Sequence, residues 1–309
     1  MSFVLFILGL AAGFILLVKG SDFFVDGAAG IAARFGIPQI IIGLTIVAMG
    51  TSAPEAAVSI TAAFQGSADI TIGNIVGSNI LNVLIILGLA SVITPIAVKR
   101  NTIRIEIPFM ILISVVLFLL GLDGMITLTD GIILIVLFII YLTYLFVSAR
   151  KMKEETEEAA VKPLWLMIVM LLGGLVAVVA GSRLAVYGAS GIAAALGISE
   201  RFIGLTVVAL GTSLPELFTS VTAARKGDAD IAIGNIVGSN IFNVLFVVGL
   251  TALITPVPYQ PKFIIDSAVM IAAAVVLWLC VFRTKKLGRA AGIVMLAMYA
   301  AYFIYLCTG

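Results

Sequence analysis

Two glutamates, Glu55 and Glu216, occupy near-identical settings, GTSAPE (50–55) and GTSLPE (211–216), 161 positions apart. Apolar sequence flanks both: IIIGLTIVAM and AAVSITAAF around the first, FIGLTVVAL and LFTSVTAA around the second. A carboxylate at the centre of a bilayer costs at least about 2.5–3.5 kcal/mol. The chemistry it offers there is cation binding. A protonated glutamate hydrogen-bonded inside a bundle is the competing reading, and it leaves the recurrence in both motifs unexplained. Pro54 and Pro215 lack an N–H, so in a helix the carbonyls of Gly50 and Gly211 lose their donors. The glycines weaken the helix further. Unwound backbone at this depth is tolerated only where it lines a protein cavity. Those carbonyls and the hydroxyls of Thr51, Ser52, Thr212 and Ser213 would surround each carboxylate with oxygen.

A second motif repeats at the same interval, GNIVGSNILN from Gly73 and GNIVGSNIFN from Gly234. Ser78 and Asn82 are spaced i,i+4 and share one helix face, as do Ser239 and Asn243. For Asn74, Asn79, Asn235 and Asn240, interhelical hydrogen bonding and ion coordination are both open. Gly73 and Gly77, with Gly234 and Gly238, form small-xxx-small patterns that let helices approach closely. Asp69 and Asp230 begin their helices, where a carboxylate complements the helix dipole. Every candidate ligand is oxygen, which suits hard cations such as Ca²⁺ or Na⁺. Two carboxylates balance one Ca²⁺ or two Na⁺. The neutral oxygens can build the irregular shell of about six to eight that Ca²⁺ accepts, whereas Mg²⁺ wants a tight octahedron.

The elements that must carry these residues are membrane helices. Of 309 residues, 62% are apolar and 11% charged, and the mean hydropathy is +1.26. A soluble domain carries roughly a quarter charged residues. Apolar windows predict ten transmembrane helices, at 3–19, 38–64, 70–94, 104–121, 127–149, 164–186, 200–224, 230–254, 263–282 and 288–307. The charged stretch 149–163, ARKMKEETEEAAVKP, separates a first five-helix unit (1–148) from a second (164–309). Gly20–Pro95 laid on Gly181–Pro256 needs no gap and is identical at 47 of 76 positions. Five is odd, so the second copy enters the membrane from the opposite side. The fold class expected is all-α, polytopic, with a 5+5 inverted-topology repeat, an architecture of secondary transporters.

Charge supplies the orientation. With the N-terminus outside, all of the 18 Lys and Arg except Arg183, Arg201 and Lys262 fall on the inner side. That positive-inside bias puts both termini on the non-cytoplasmic side and the linker in the cytoplasm. The first apolar run lacks a basic n-region, since Lys19 follows it, and reads as a spanning helix rather than a signal peptide. A net charge of +2 with no basic tract speaks against nucleic acid as a partner. There is no histidine, and no His, Cys or Ser/Lys constellation converges at depth, so no enzyme is expected. Cys280 and Cys307 lie in separate apolar segments and read as small fillers.

The paired motifs GTSAPE with GNIVGSNILN, and GTSLPE with GNIVGSNIFN, resemble the two α-repeats of the Ca²⁺/cation antiporter superfamily, most closely its prokaryotic sodium/calcium exchangers. The resemblance covers essentially the whole chain. It implies that Glu55 and Glu216 are shared by Ca²⁺ and Na⁺, and that Thr51, Ser52, Thr212, Ser213, Ser78 and Ser239 contribute oxygens. It further implies backbone carbonyls at Ala48 and Ala209 for outer Na⁺ positions, with Asn82 and Asn243 flanking the centre. The family is expected to exchange about three Na⁺ for one Ca²⁺ by alternating access, its first and sixth helices sliding across the rest. Relatives that include potassium-dependent exchangers carry aspartate at the position of Asn243, so asparagine there weakens a case for K⁺. The GNxxE-type motif of the proton-coupled branch is absent, as is the large regulatory insertion of animal exchangers.

The function expected is therefore Na⁺/Ca²⁺ antiport that exports Ca²⁺ across a prokaryotic cell membrane. Ca²⁺ and Na⁺ are transported ions rather than cofactors, and no obligatory protein partner is expected. Paired carboxylates can also bind protons, which keeps Ca²⁺/H⁺ exchange as the near rival. A passive cation channel is the rival of a different class.

Overall fold

Apolar runs of membrane-spanning length close their backbone hydrogen bonds internally, so they fold as helices. The computed structural model describes residues 2–151, 162–197 and 209–308. Twelve helical segments carry the architecture among them: α1 (Ser2–Phe35), α2 (Gln39–Thr51), α3 (Ala53–Phe64), α4 (Ile70–Ile93), α5 (Thr102–Asp123), α6 (Leu128–Arg150), α7 (Leu164–Ala195), α8 (Ala209–Thr212), α9 (Leu214–Lys226), α10 (Ala229–Ile254), α11 (Lys262–Phe282) and α12 (Arg289–Cys307). Eight are long and apolar enough to cross a membrane, and nine spans result if α2 and α3 count as one bent span. The predicted helix 200–224 is covered only from residue 209 onward, and its first part lies outside the described residues, as does most of the linker 149–163.

Two predicted boundaries are corrected. The run 3–19 continues to Phe35, and 164–186 continues to Ala195. Lys19, Asp22, Asp26 and Arg183 look like stop signals in lipid, yet Asp22 and Asp26 meet α9, and Arg183 lines a cleft. At 34 residues α1 is roughly 50 Å long. That exceeds a hydrocarbon core of about 30 Å, so α1 must tilt or project beyond it. α1 and α7 pack along their lengths. Their seam carries glycines seven residues apart: Gly13 faces Gly181 and Gly20 faces Gly174, while Gly27 lies on Leu171 and Gly188 on Leu10. A Cβ on Gly13 would stand 2.5 Å from the backbone nitrogen of Ala185, and one on Gly174 would stand 2.4 Å from that of Phe24.

α4 and α10 form the centre. In their most apolar windows 78% and 83% of residues are buried, against 17% for α1. α2 and α9 pack on α10, α3 on α4, and α5, α6, α11 and α12 close the side away from the α1–α7 pair. Gly234 and Gly238 admit α2 closely, since an added Cβ would lie 3.1 Å from the Cα of Gly43 and 2.7 Å from the carbonyl oxygen of Leu44. Gly73 and Gly77 are not closely packed on the described residues. The segment equivalent to 40–47 is 201–208, which lies outside them.

Two short antiparallel ladders cross between the halves. β1 (Ile96–Ala97) pairs with β4 (Lys286–Leu287), and β2 (Met125–Ile126) pairs with β3 (Val257–Pro258). The register Ile96↔Leu287 is matched, 161 residues on, by Val257↔Ile126.

Candidate functional site

Each site motif sits where a helix is interrupted. α2 and α3 meet at Ser52, bent by 47°, and α9 begins after Ser213 in the same backbone conformation. Pro54 and Pro215 lie in the first turn of α3 and α9, where a missing N–H costs nothing. The expected unwinding is thus confined to one residue per motif. The two glutamates fall in the first turn of the following helices, where the dipole favours an anion.

The two breaks meet across the halves. Glu55 and Glu216 are 1% and 0% exposed, and Thr51, Ser52 and Ser213 are buried with them. Ser52 Oγ donates to Glu216 Oε1 at 2.8 Å, and Ser213 Oγ donates to Glu55 Oε1 at 3.5 Å. Thr51 likewise lies against Glu216, and the half-buried Thr212 against Glu55.

α4 and α10 hold this pair from behind. Asn74 Nδ2 donates to the Glu55 carbonyl at 3.2 Å and to Ser59 Oγ at 3.0 Å. Asn235 does the same to the Glu216 carbonyl at 3.4 Å and Ser220 Oγ at 2.9 Å, and accepts from Thr51 Oγ1 at 2.9 Å. These two asparagines position the glutamate backbones. Thr51 Oγ1 and Ser239 Oγ both reach the Ala48 carbonyl at 3.3 Å, which unites three of the expected oxygens. Ser78 is buried on the face of α4 that carries Asn82.

Between α4 and α10 four asparagines close a reciprocal ring. Asn79 and Asn240 each donate to the other's backbone carbonyl at 3.2 Å. Asn82 Nδ2 donates to Asn240 Oδ1 at 3.0 Å, and Asn243 Nδ2 donates to Asn79 Oδ1 at 3.1 Å. Helical turns of the wider π form start at Asn82 and Asn243 in both halves, a local irregularity that recurs at functional positions. The ring spends the amide donors and leaves Asn82 Oδ1 and Asn243 Oδ1 without partners. Glu55 Oε2 and Glu216 Oε2 are also unpartnered.

Four buried acceptors with no donor aimed at them are costly in a closed protein interior. A cation bound there would offset that cost. Among the described residues there is no cluster of three or more His, Cys, Asp or Glu. A site of two carboxylates and neutral oxygens fits an ion that must also leave.

Several expectations are adjusted by this geometry. The Gly211 carbonyl is not free, because Ser182 Oγ of α7 donates to it at 2.5 Å. Ala209 opens α8, and its side chain lies outside the described residues, as does that of Asp69. Asp230 is ion-paired to Lys99 at 2.7 Å. Glu106 of α5 is a third buried carboxylate, 3% exposed, whose Oε2 is likewise unpartnered, and the sequence reading did not single it out. It accepts from Tyr144 at 2.6 Å, which ties α5 to α6 away from the paired glutamates.

A cleft of about 650 Å³ opens between α3 and α7. Pro54, Ser182, Gly211 and Thr212 line it near the helix breaks, and Gln65 lies at the far end of α3.

A family model described as sodium/calcium exchanger protein matches residues 5–147 and again 166–308. The Sodium/calcium exchanger MaX1 of Methanosarcina acetivorans is 31% identical over 96% of this chain and 97% of its own. The Inner membrane protein YrbG of Escherichia coli is 38% identical over 93% of this chain and 92% of its own. Among solved structures, the sodium-calcium exchanger NCX_Mj soaked with 10 mM Na⁺ and 10 mM Sr²⁺ superposes with a TM-score of 0.87 at 36% identity, over 97% of this chain and 98% of that one.

Proposed function

Because the chain belongs to the sodium/calcium exchanger protein family, we propose that it exchanges Na⁺ for Ca²⁺ at one shared site by alternating access. The observation that carries this reading is the set of four unpartnered acceptors, Glu55 Oε2, Glu216 Oε2, Asn82 Oδ1 and Asn243 Oδ1. They come from both halves, and their joint use by one cation is the reading proposed. Ca²⁺ takes these oxygens with the hydroxyls of Ser52, Thr51, Thr212, Ser213, Ser78 and Ser239 in reach. Na⁺ uses overlapping oxygens, including the carbonyls of Ala48 and Ala209. The two loads are of similar size and hardness, so they exclude one another.

An unloaded site leaves buried carboxylates uncompensated, which disfavours the crossing step without cargo. That penalty couples the fluxes. Exchange of about three Na⁺ for one Ca²⁺ moves one net charge, worth about 2.3 kcal/mol per 100 mV, so inward Na⁺ drives Ca²⁺ out. The chain acts as ten spans in two inverted five-helix units, 1–148 and 164–309, joined by the cytoplasmic linker 149–163. Both termini lie on the non-cytoplasmic face of a prokaryotic cell membrane, and the α3–α7 cleft opens to that face. Binding and release of ions is its whole chemistry, so it is no enzyme.

Na⁺-gradient-driven ⁴⁵Ca²⁺ uptake into proteoliposomes tests the reading. Glu55→Gln and Glu216→Gln each remove the flux while the purified protein stays monodisperse. Asp123→Asn, at an exposed turn where the carboxylate accepts the Met125 N–H, leaves it near the parent level. Uptake driven by a pH gradient alone would assign the counter-ion to protons. Undiminished flux in either glutamate variant would remove the site.

A further inference from the structure

The same five positions of the repeat meet twice, and the two meetings differ. Beside the cleft stand Thr61 and Gln65 of α3 and Ser182, Arg183 and Tyr187 of α7. Their equivalents, 161 residues away, are Thr222 and Lys226 of α9 with Ser21, Asp22 and Asp26 of α1. There the two helices are shut against each other. Ser21 Oγ and Thr222 Oγ1 are 2.8 Å apart. Beyond them Lys226 Nζ lies 2.6 Å from Asp26 Oδ1 and 3.3 Å from Asp22 Oδ1, and donates to the Asp22 carbonyl at 3.0 Å.

Asp22 and Asp26 are one helical turn apart on α1, so a single ammonium at the end of α9 bridges both. The open mouth has no version of this clasp. A glutamine stands for the lysine, and an arginine and a tyrosine stand for the two aspartates. Closing that mouth would set Arg183 against the amide of Gln65, with no opposite charge between the two helix faces at these positions.

We infer that Lys226, Asp22 and Asp26 form a one-sided latch that holds α1 on α9 and biases the resting protein toward the state with the α3–α7 cleft open. These three are positioning residues, since they touch no transported ion. The latch is half-exposed, with side chains 28% to 42% accessible, so it tilts an equilibrium rather than locking it. The inference rests on the antiport reading only in requiring that the shut mouth can open.

Thiol labelling in detergent reads the state without any flux, so failure of the latch and failure of the transport reading are separable. Cys280 and Cys307 are first replaced by serine. Ala223→Cys on the shut side and its counterpart Ala62→Cys on the open side are then compared. Ala62 lines the cleft at 7% exposure, whereas Ala223 is 0% exposed. The expected pattern is fast labelling at 62 and slow labelling at 223. Adding Lys226→Gln, which gives both mouths the same residue, raises the rate at 223 on the order of fivefold and lowers that at 62. The swap Asp26→Lys with Lys226→Asp restores protection. Arg225→Gln, an equal loss of charge beside the latch, leaves both rates unchanged. Equal labelling at 223 in the parent and in Lys226→Gln overturns the inference. An equal rise in Arg225→Gln overturns it too, because the effect would then be general loosening.

Discussion

At the residue scale the site is a matter of which oxygens lack a donor. Ser52 serves Glu216 and Ser213 serves Glu55, so each carboxylate has one oxygen satisfied by the opposite half and one left over. The asparagine ring does the same with amides. Asn240 takes the amide hydrogen of Asn82 and thereby aims the free Asn82 Oδ1. Asn240→Ala should therefore weaken Ca²⁺ binding about 10- to 100-fold, the usual effect of losing a partner that orients a ligand. Calorimetric titration with Ca²⁺ checks this, and unchanged affinity would make the ring purely structural. The types and burial of these residues were legible in the sequence, because two copies of a short polar motif inside apolar runs have no cheaper explanation. The pairing was not. Spacing along one helix says nothing of a donor that arrives from the other half. Glu106 was passed over because the predicted start of its helix at 104 placed it near an end, and two further residues bring it inside.

At the element scale the long pair α1–α7 contrasts with the centre. α4 and α10 are fixed by buried hydrogen bonds, whereas the glycine seam of α1 and α7 offers close backbone contact. Such a surface permits sliding. A Cβ at Gly181 would meet the Gly13 carbonyl oxygen at 2.8 Å and Leu17 N at 2.9 Å, both backbone. Gly181→Val should cost about 1–3 kcal/mol and lower the melting temperature. Gly173→Ala, where nothing stands within 4 Å, should keep or raise it. Equal losses in both variants would show that the seam is not specifically packed. Hydropathy located the helices well, since boundaries such as 70–94 and 263–282 lie within a residue of those observed. It misjudged α1 and α7 because a charge was read as facing lipid when it faced protein. The seven-residue glycine spacing was visible in the chain, but only the facing helix gives it meaning.

At the scale of the whole molecule, transported ions should act as structural ties. On the proposed site Ca²⁺ would compensate the buried acceptors of both halves together, so loading should stabilise the folded protein. Ca²⁺ at about 100 times its dissociation constant is worth about 2.7 kcal/mol. The expected result is a higher melting temperature with Ca²⁺, lost in Glu55→Gln. A glutamate variant stabilised as strongly as the parent would place the ion elsewhere.

The cross-bonded serine–glutamate pairs and the reciprocal amide ring have a consequence for ancestry. Neither half owns a complete pocket, yet each carries one of every group the pocket needs. Two identical copies of a single half, inserted in opposite orientations, would supply the same ring and the same pair of acids. A dual-topology homodimer of that kind would hold a complete pocket, and fusing its halves would free the two mouths to diverge.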